Sequence, residues 1–218
     1  IDKPESKIEF GNVFFYIGIF LLASAPFISS IFLIISLIFG STKRKENYLS
    51  DIWNYPFIVS GILMIISSFL VANLIQKNST QDLISSIIGL FNWLPFFWIF
   101  WSSQIYLKSI QQRKRCIFLL ITGSIPILFT GLGQYYFKWY GPFETLNGLI
   151  IWFQRPLNSD MGLSGLFSNQ NYAASWLIII FPFTLAFIIK KQKDQILNIF
   201  SYFIFILFSL TIILTTSR

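Results

Sequence analysis

Histidine is absent from the 218 residues, and cysteine occurs once, as Cys116. The first absence excludes a His-ligated metal site or a Ser-His-Asp triad within these residues. The second leaves no intrachain disulfide partner. Charge is scarce as well: Asp, Glu, Lys and Arg together make up 11% of the chain, whereas an average soluble domain carries about 25%. There is no Walker A loop, GxGxxG, CxxC, HExxH or GxSxG segment, so none of the usual phosphate-loop, dinucleotide, zinc or nucleophile-elbow chemistries is indicated. No carboxylate sits in the middle of an apolar run, which argues against a proton-coupled transporter.

What is abundant is apolar surface. Hydrophobic residues reach 55%, aromatic residues 19%, and 26 of the residues are Phe and 7 Trp; the mean hydropathy is +0.66. Rings suit both the hydrocarbon of a bilayer and its edge, so the chain reads as an integral membrane protein. The net charge of +7 comes from short basic clusters between apolar runs. Such clusters orient spans, and membrane lipids rather than nucleic acid are the expected partner. The first apolar run is too long for a cleavable signal peptide and has no clear cleavage site. The chain begins with Ile1 and stops at Arg218, directly after an apolar segment. It is therefore expected to be the front part of a longer protein.

A spanning helix needs about 20 apolar residues. Five segments meet that test: Pro56–Ile75, Leu83–Leu107, Cys116–Tyr135, Ala173–Ile189 and Ile196–Leu214. The run Phe10–Phe39 is longer and carries Ser24-Ala25-Pro26 at its middle. It forms either one kinked helix or two short helices joined at the proline, which disfavours helix at the preceding residue. Charge favours the hairpin. Lys43-Arg44-Lys45, Arg113-Lys114-Arg115 and Lys190-Lys191 with Lys193 are separated by two spans each, so all can lie inside together. The tail with Lys3 and Lys7 joins them only if Phe10–Phe39 turns back. With Lys108, twelve of the 16 Lys and Arg are then cytoplasmic, leaving Lys77, Lys138, Arg155 and Arg218 outside. The expected fold is an all-α, polytopic transmembrane helical bundle of six or seven spans forming a single domain over residues 1–218.

This topology puts a short stretch, Gln76–Gln81, and a long one, residues 136–172, outside. Only the second has room for a site. Its apolar patch Leu149-Ile150-Ile151-Trp152-Phe153 is too short to span and is expected to lie along the membrane surface. Of its acidic residues, Glu144 and Asp160, like Asp82 at the other outer turn, read most simply as solvated loop charges. Arg155 and Arg218 share the outer compartment. Each either reaches headgroups or offers a planar, paired donor to a phosphate or diphosphate. Two arginines without catalytic carboxylates suit stabilisation of a leaving diphosphate better than hydrolysis. The stretch Gly162–Tyr172 leads into the next span: Asn169 or Asn171 can cap it, and the remaining Asn with Tyr172 can contact a glycan or lipid phosphate. In Asn92–Trp98, Pro95 predicts a kink, with Asn92 able to satisfy freed backbone groups.

Together, Gly165-Leu-Phe-Ser-Asn-Gln-Asn171-Tyr, a span with an internal Pro182, a basic turn and a span ending Leu-Thr-Thr-Ser-Arg218 resemble the O-antigen ligase/polymerase superfamily. Its members carry a Gly-x-Phe-x-Asn-Pro-Asn segment and a later Thr-x-Ser-Arg-Gly segment. Asn92–Trp98 and the stretch from Gly141-Pro142-Phe143 through Trp152-Phe153-Gln154-Arg155-Pro156 look most like cyanobacterial members. The resemblance implies a GT-C-like, inverting glycosyltransferase of polysaccharide or lipopolysaccharide biosynthesis in the bacterial inner membrane. It would transfer a glycan from undecaprenyl diphosphate to a lipid or glycan acceptor at the periplasmic face, with no metal or other cofactor. Arg218 matches the family's Ser-Arg position. Arg155 is the nearest candidate for its second arginine but lies several residues upstream of the usual place, and Gln170 stands where the family has proline. With Arg218 and Arg155 as catalytic residues, Asn169, Asn171 and Tyr172 would bind substrate. Ligases of the family also use a His in a loop beyond the Ser-Arg motif, so these residues alone are expected to be inactive. The competing expectations are a membrane transporter for inorganic carbon or another solute, which should show polar groups at mid-bilayer, and a non-catalytic scaffold indifferent to changes at either arginine.

Overall fold

A computed structural model describes residues 5–44, 47–74, 80–157, 161–190 and 195–216. Among them are eight α-helices and one two-stranded hairpin. The helices are α1 (Glu5–Leu21), α2 (Pro26–Lys43), α3 (Tyr55–Leu74), α4 (Thr80–Ser103), α5 (Ile110–Gly123), α6 (Ile125–Phe137), α7 (Gln170–Ile189) and α8 (Gln195–Leu214). The strands are β1 (Phe143–Thr145) and β2 (Ile150–Trp152). Five stretches are long and apolar enough to cross a membrane: 26–43, 52–70, 110–137, 170–189 and 195–214. This is a membrane protein. The count covers described residues only, and α4, several of whose side chains are not described, falls outside it.

The run 10–39 is broken, as its charge pattern favours. Pro26 opens α2, where its missing N–H costs nothing and its fixed φ suits the first turn. Ser29 Oγ donates to Gly18 O at 2.7 Å, tying the two helices together. They have 17 and 18 residues, each longer than the sequence reading allows, because helix continues into the polar ends at Glu5 and Lys43.

The chain divides into two compact units. One comprises Ile1–Phe15 and Leu33–Lys108; the other comprises Tyr16–Phe32 and Ser109–Arg218. In the first, Tyr106 is buried and donates its hydroxyl to Ser36 O at 2.7 Å. Gly11 and Gly40 make room for it, since a Cβ at either would meet the Tyr106 hydroxyl. Beyond α2, Arg44 lies over the Trp101 ring at 4.7 Å and pairs with Asp51 at 3.2 Å. Asp51 in turn caps a 3-10 turn through Trp53 N–H. Tyr48 stacks on Trp98 and meets the edge of Trp101; burial pushes its phenol above the ordinary value. Pro95 lies inside α4, which remains helical through it.

In the second unit the core joins α5, α6, α7 and α8 through Ile121, Ile127, Leu128, Leu177, Ile180 and Phe208. Residues 116–135, expected as one uninterrupted span, form two helices that break at Ser124. Pro126 cannot donate to Thr122 O, so the ladder stops there, and Ser124 N–H turns back to Leu120 O and Ile121 O. Residues Arg113-Lys114-Arg115, expected in a loop, lie on α5. The outward faces are apolar: Ile189, Ile196 and Ile213 expose 76%, 75% and 71% of their surface, as lipid solvent permits.

Candidate functional site

The longest connection among the described helices runs from the end of α6 to the start of α7, residues 138–169. It does not lie loosely over the helix ends. Gln134, in the last turns of α6 and fully buried, accepts from the N–H groups of Ser164 and Gly165 at 2.9 and 3.0 Å. Its amide nitrogen donates to Arg155 O at 2.7 Å and Ser164 Oγ at 3.2 Å. Both donors and both acceptor lone pairs of one side chain are thereby used. Gly165 has φ +54, a left-handed conformation that glycine adopts without penalty, and its Cα faces Ile127 O.

Neighbouring contacts pin further described residues of the loop. Phe153 N–H donates to Leu166 O, and Gly141 N–H to Gln154 O. Gln154 is buried and donates to Thr130 O at 3.3 Å. Trp152 Nε1 donates to Ser24 O, in the turn between α1 and α2, at 2.8 Å.

The patch 149–153 supplies β2, paired antiparallel with β1 in the register Thr145↔Ile150. The turn between them holds Leu146, Asn147 and Gly148 at positive φ. Its Asn-Gly pair is a strong hairpin signal that the apolar run around it conceals.

The same loop meets the end of α8. Leu163 N–H donates to Leu214 O at 3.0 Å. Gly162 packs directly on Thr215, with no room for a Cβ against the Thr215 carbonyl or Thr216 Oγ1. Gln170, at the position where the resembling family has proline, holds this contact from the other side: its Oε1 accepts from Gly162 N–H at 2.8 Å. Thr216 has φ 47, a left-handed stop beyond the helix.

Of the residues expected to carry function, Arg155 belongs to this assembly. Its carbonyl is held by Gln134, and its Nε is buried with no hydrogen-bond partner among the described residues. Asn169 is the N-cap of α7 and accepts from Asn171 N–H at 2.8 Å, so its side chain has a structural task. Asn171 and Tyr172 are exposed on the first turn of α7. Glu144 is exposed on β1. Arg218 and Asp160 lie outside the described residues, as does the side chain of Asn92. Sequence reasoning passed over Gln134, and it gave Ser164 and Gln170 no structural partner. A glutamine within the apolar run Ile125–Phe137 was the available signal, since an amide in such a place needs partners.

No family model, curated protein or solved structure matches the chain. The arrangement therefore speaks for itself. A backbone-rich loop is locked by buried amides against one end of a helical unit, and it carries a guanidinium with an unused donor. Such a guanidinium can bind an anion. Among the described residues the site brings together no His, Cys, Asp or Glu cluster for a metal.

Proposed function

We propose that the protein is a membrane glycosyltransferase of the O-antigen ligase/polymerase type. It transfers a glycan from a polyprenyl diphosphate to an acceptor at the periplasmic face of the bacterial inner membrane. The observation that carries this reading is the packing of Gly162 and Leu163 on Leu214 and Thr215. This packing sets the loop that bears Arg155 against the segment that leads to Arg218. In the proposed reaction the bond from the sugar's anomeric carbon to the diphosphate breaks as a bond to the acceptor hydroxyl forms. Charge grows on the departing diphosphate, and the forked donors of Arg155 and Arg218 stabilise it. The Nε of Arg155, buried with no partner among the described residues, supports this role, because a buried donor without an acceptor calls for a ligand. Asn171 and Tyr172, exposed beside the loop, are the side chains proposed to meet the glycan.

The test uses the complete gene product in membranes supplied with a lipid-diphosphate-linked glycan. Arg155→Ala and Arg218→Ala should each lower transfer by about 100-fold or more while membrane insertion is unchanged. Transfer that survives both substitutions removes the arginines from the site. Solute uptake by the same membranes, with no glycan transfer, replaces the enzyme reading with a transporter.

A further inference from the structure

A second, chemically different recess lies at the opposite end of α5 and α7 from the loop. Its mouth encloses about 480 Å³ and is rimmed by Lys114 and Arg115 of α5 and Lys190 at the end of α7. Phe118 and Phe187 line it, and both also line a neighbouring cleft of about 200 Å³ whose wall includes residues of α5, α7 and α8. The two recesses are thus neighbours with shared walls, the first lined in part by cations and the second mostly apolar.

The chemistry of each part is well defined. Among the described residues, none of the three cations is paired with a carboxylate; the ion pair found there joins Arg44 and Asp51, elsewhere in the chain. In the sequence, Lys190 is followed by Lys191, Lys193 and Asp194. The Arg115 guanidinium is steadied at the rim by the Tyr16 ring, 5.5 Å away. Inside the cleft, three hydroxyls could suggest a polar ligand, but each is already committed to its own helix. Thr122 donates to Phe118 O, Thr184 to Phe181 O and Ser201 to Leu197 O. With their protons turned to the backbone, the cleft offers no free hydroxyl donor and presents methyl, methylene and ring surface.

The geometry points to a binding site for one anionic phospholipid. Its phosphate sits between Lys114, Arg115 and Lys190, and one acyl chain passes Phe118 and Phe187 into the cleft. Charge complementarity selects the headgroup: clustered ammonium and guanidinium groups, paired with no carboxylate among the described residues, favour a net-negative lipid over a zwitterionic one. The cleft selects a lipid over a free anion, because only a lipid covers its apolar wall. This site is separate from glycan transfer and stands whether or not that activity is found.

The experiment places the complete gene product in nanodiscs containing phosphatidylcholine and phosphatidylglycerol. Lipids retained after extraction are then counted by native mass spectrometry. Phosphatidylglycerol should be retained in preference. Lys114→Gln combined with Lys190→Gln should reduce that preference by about 30-fold, the attraction expected of two basic residues. Leu197→Trp, which narrows the cleft and leaves the cations in place, should weaken retention of long-chain but not dihexanoyl phosphatidylglycerol. Equal retention of the two lipids by the unaltered protein would sink the proposal. So would release of the bound lipid by inorganic phosphate alone, which would mark a free-anion site. Should the double variant fail to fold, Lys190→Gln alone, at an exposed helix end, gives the same readout, and an unchanged preference there also overturns the site.

Discussion

Gln134 spends its whole amide on three residues that lie 21 to 31 positions away. Gln134→Ala leaves two buried N–H groups, of Ser164 and Gly165, without acceptors. At about 1–3 kcal/mol for each, the loss of stability should be about 3 kcal/mol, read as a shift in thermal unfolding in detergent. A change below about 0.5 kcal/mol would mean that water takes over the amide's partners. Gly162 is constrained in another way, because a side chain there meets the Thr215 carbonyl, which cannot rotate aside. Gly162→Ala should cost about 1–3 kcal/mol, the range for an overfilled contact, and should detach the loop from α8 before the helices themselves unfold. Limited proteolysis of the loop is the measurement, and resistance equal to the parent's would show that the contact is dispensable. Neither residue announced its partner in the sequence. Gln134 was visible as an amide in an apolar run, and the cap at Asn169 could be foreseen because it bonds two residues onward. Bonds between residues tens of positions apart leave no local pattern to read.

Elements were more legible than contacts, because their causes are local. The apolar runs mark helices, and Pro26 marks the turn between α1 and α2. The stop at Ser124 has the same cause in Pro126, but the run Cys116–Tyr135 is so uniformly apolar that hydropathy alone joins it into one span. The hairpin of β1 and β2 was hidden by the same uniformity, although Asn147-Gly148 signals it. The break at Ser124 has a further consequence. Ser124 is fully buried, donates to Leu120 O at 2.8 Å and accepts from Trp176 Nε1 at 2.9 Å. It therefore connects the α5–α6 break to α7. Ser124→Ala strands the indole N–H in apolar surroundings and should cost about 1–2 kcal/mol. Trp176→Phe in that background should then cost less than in the parent. A double-mutant cycle should return a coupling of about 1 kcal/mol; additive losses would show that the bond contributes nothing.

For the second unit, charge and contacts agree on two ends. Lys114, Arg115 and Lys190 share one recess, with Arg113 beside them in α5, whereas Gln134, Arg155 and Leu214 meet at the other end. Among the described residues, the first end carries Arg113, Lys114, Arg115 and Lys190. The second carries Lys138 and Arg155, half as many. The positive-inside rule predicts the more basic end in the cytoplasm, so α7 and α8 should run between opposite compartments. Single cysteines decide this once Cys116, the native and buried one, is replaced by serine. Glu144→Cys on β1 and Gln195→Cys at the start of α8 are both exposed positions. In intact cells a membrane-impermeant maleimide should modify position 144 at once and position 195 only after permeabilisation. The reverse order would invert the protein and put Arg155 where no periplasmic acceptor could reach it. Equal labelling of both positions in intact cells would mean that the connecting helix, α7, does not cross. The proposed division between a glycan-facing loop and a lipid-binding basic end depends on that crossing.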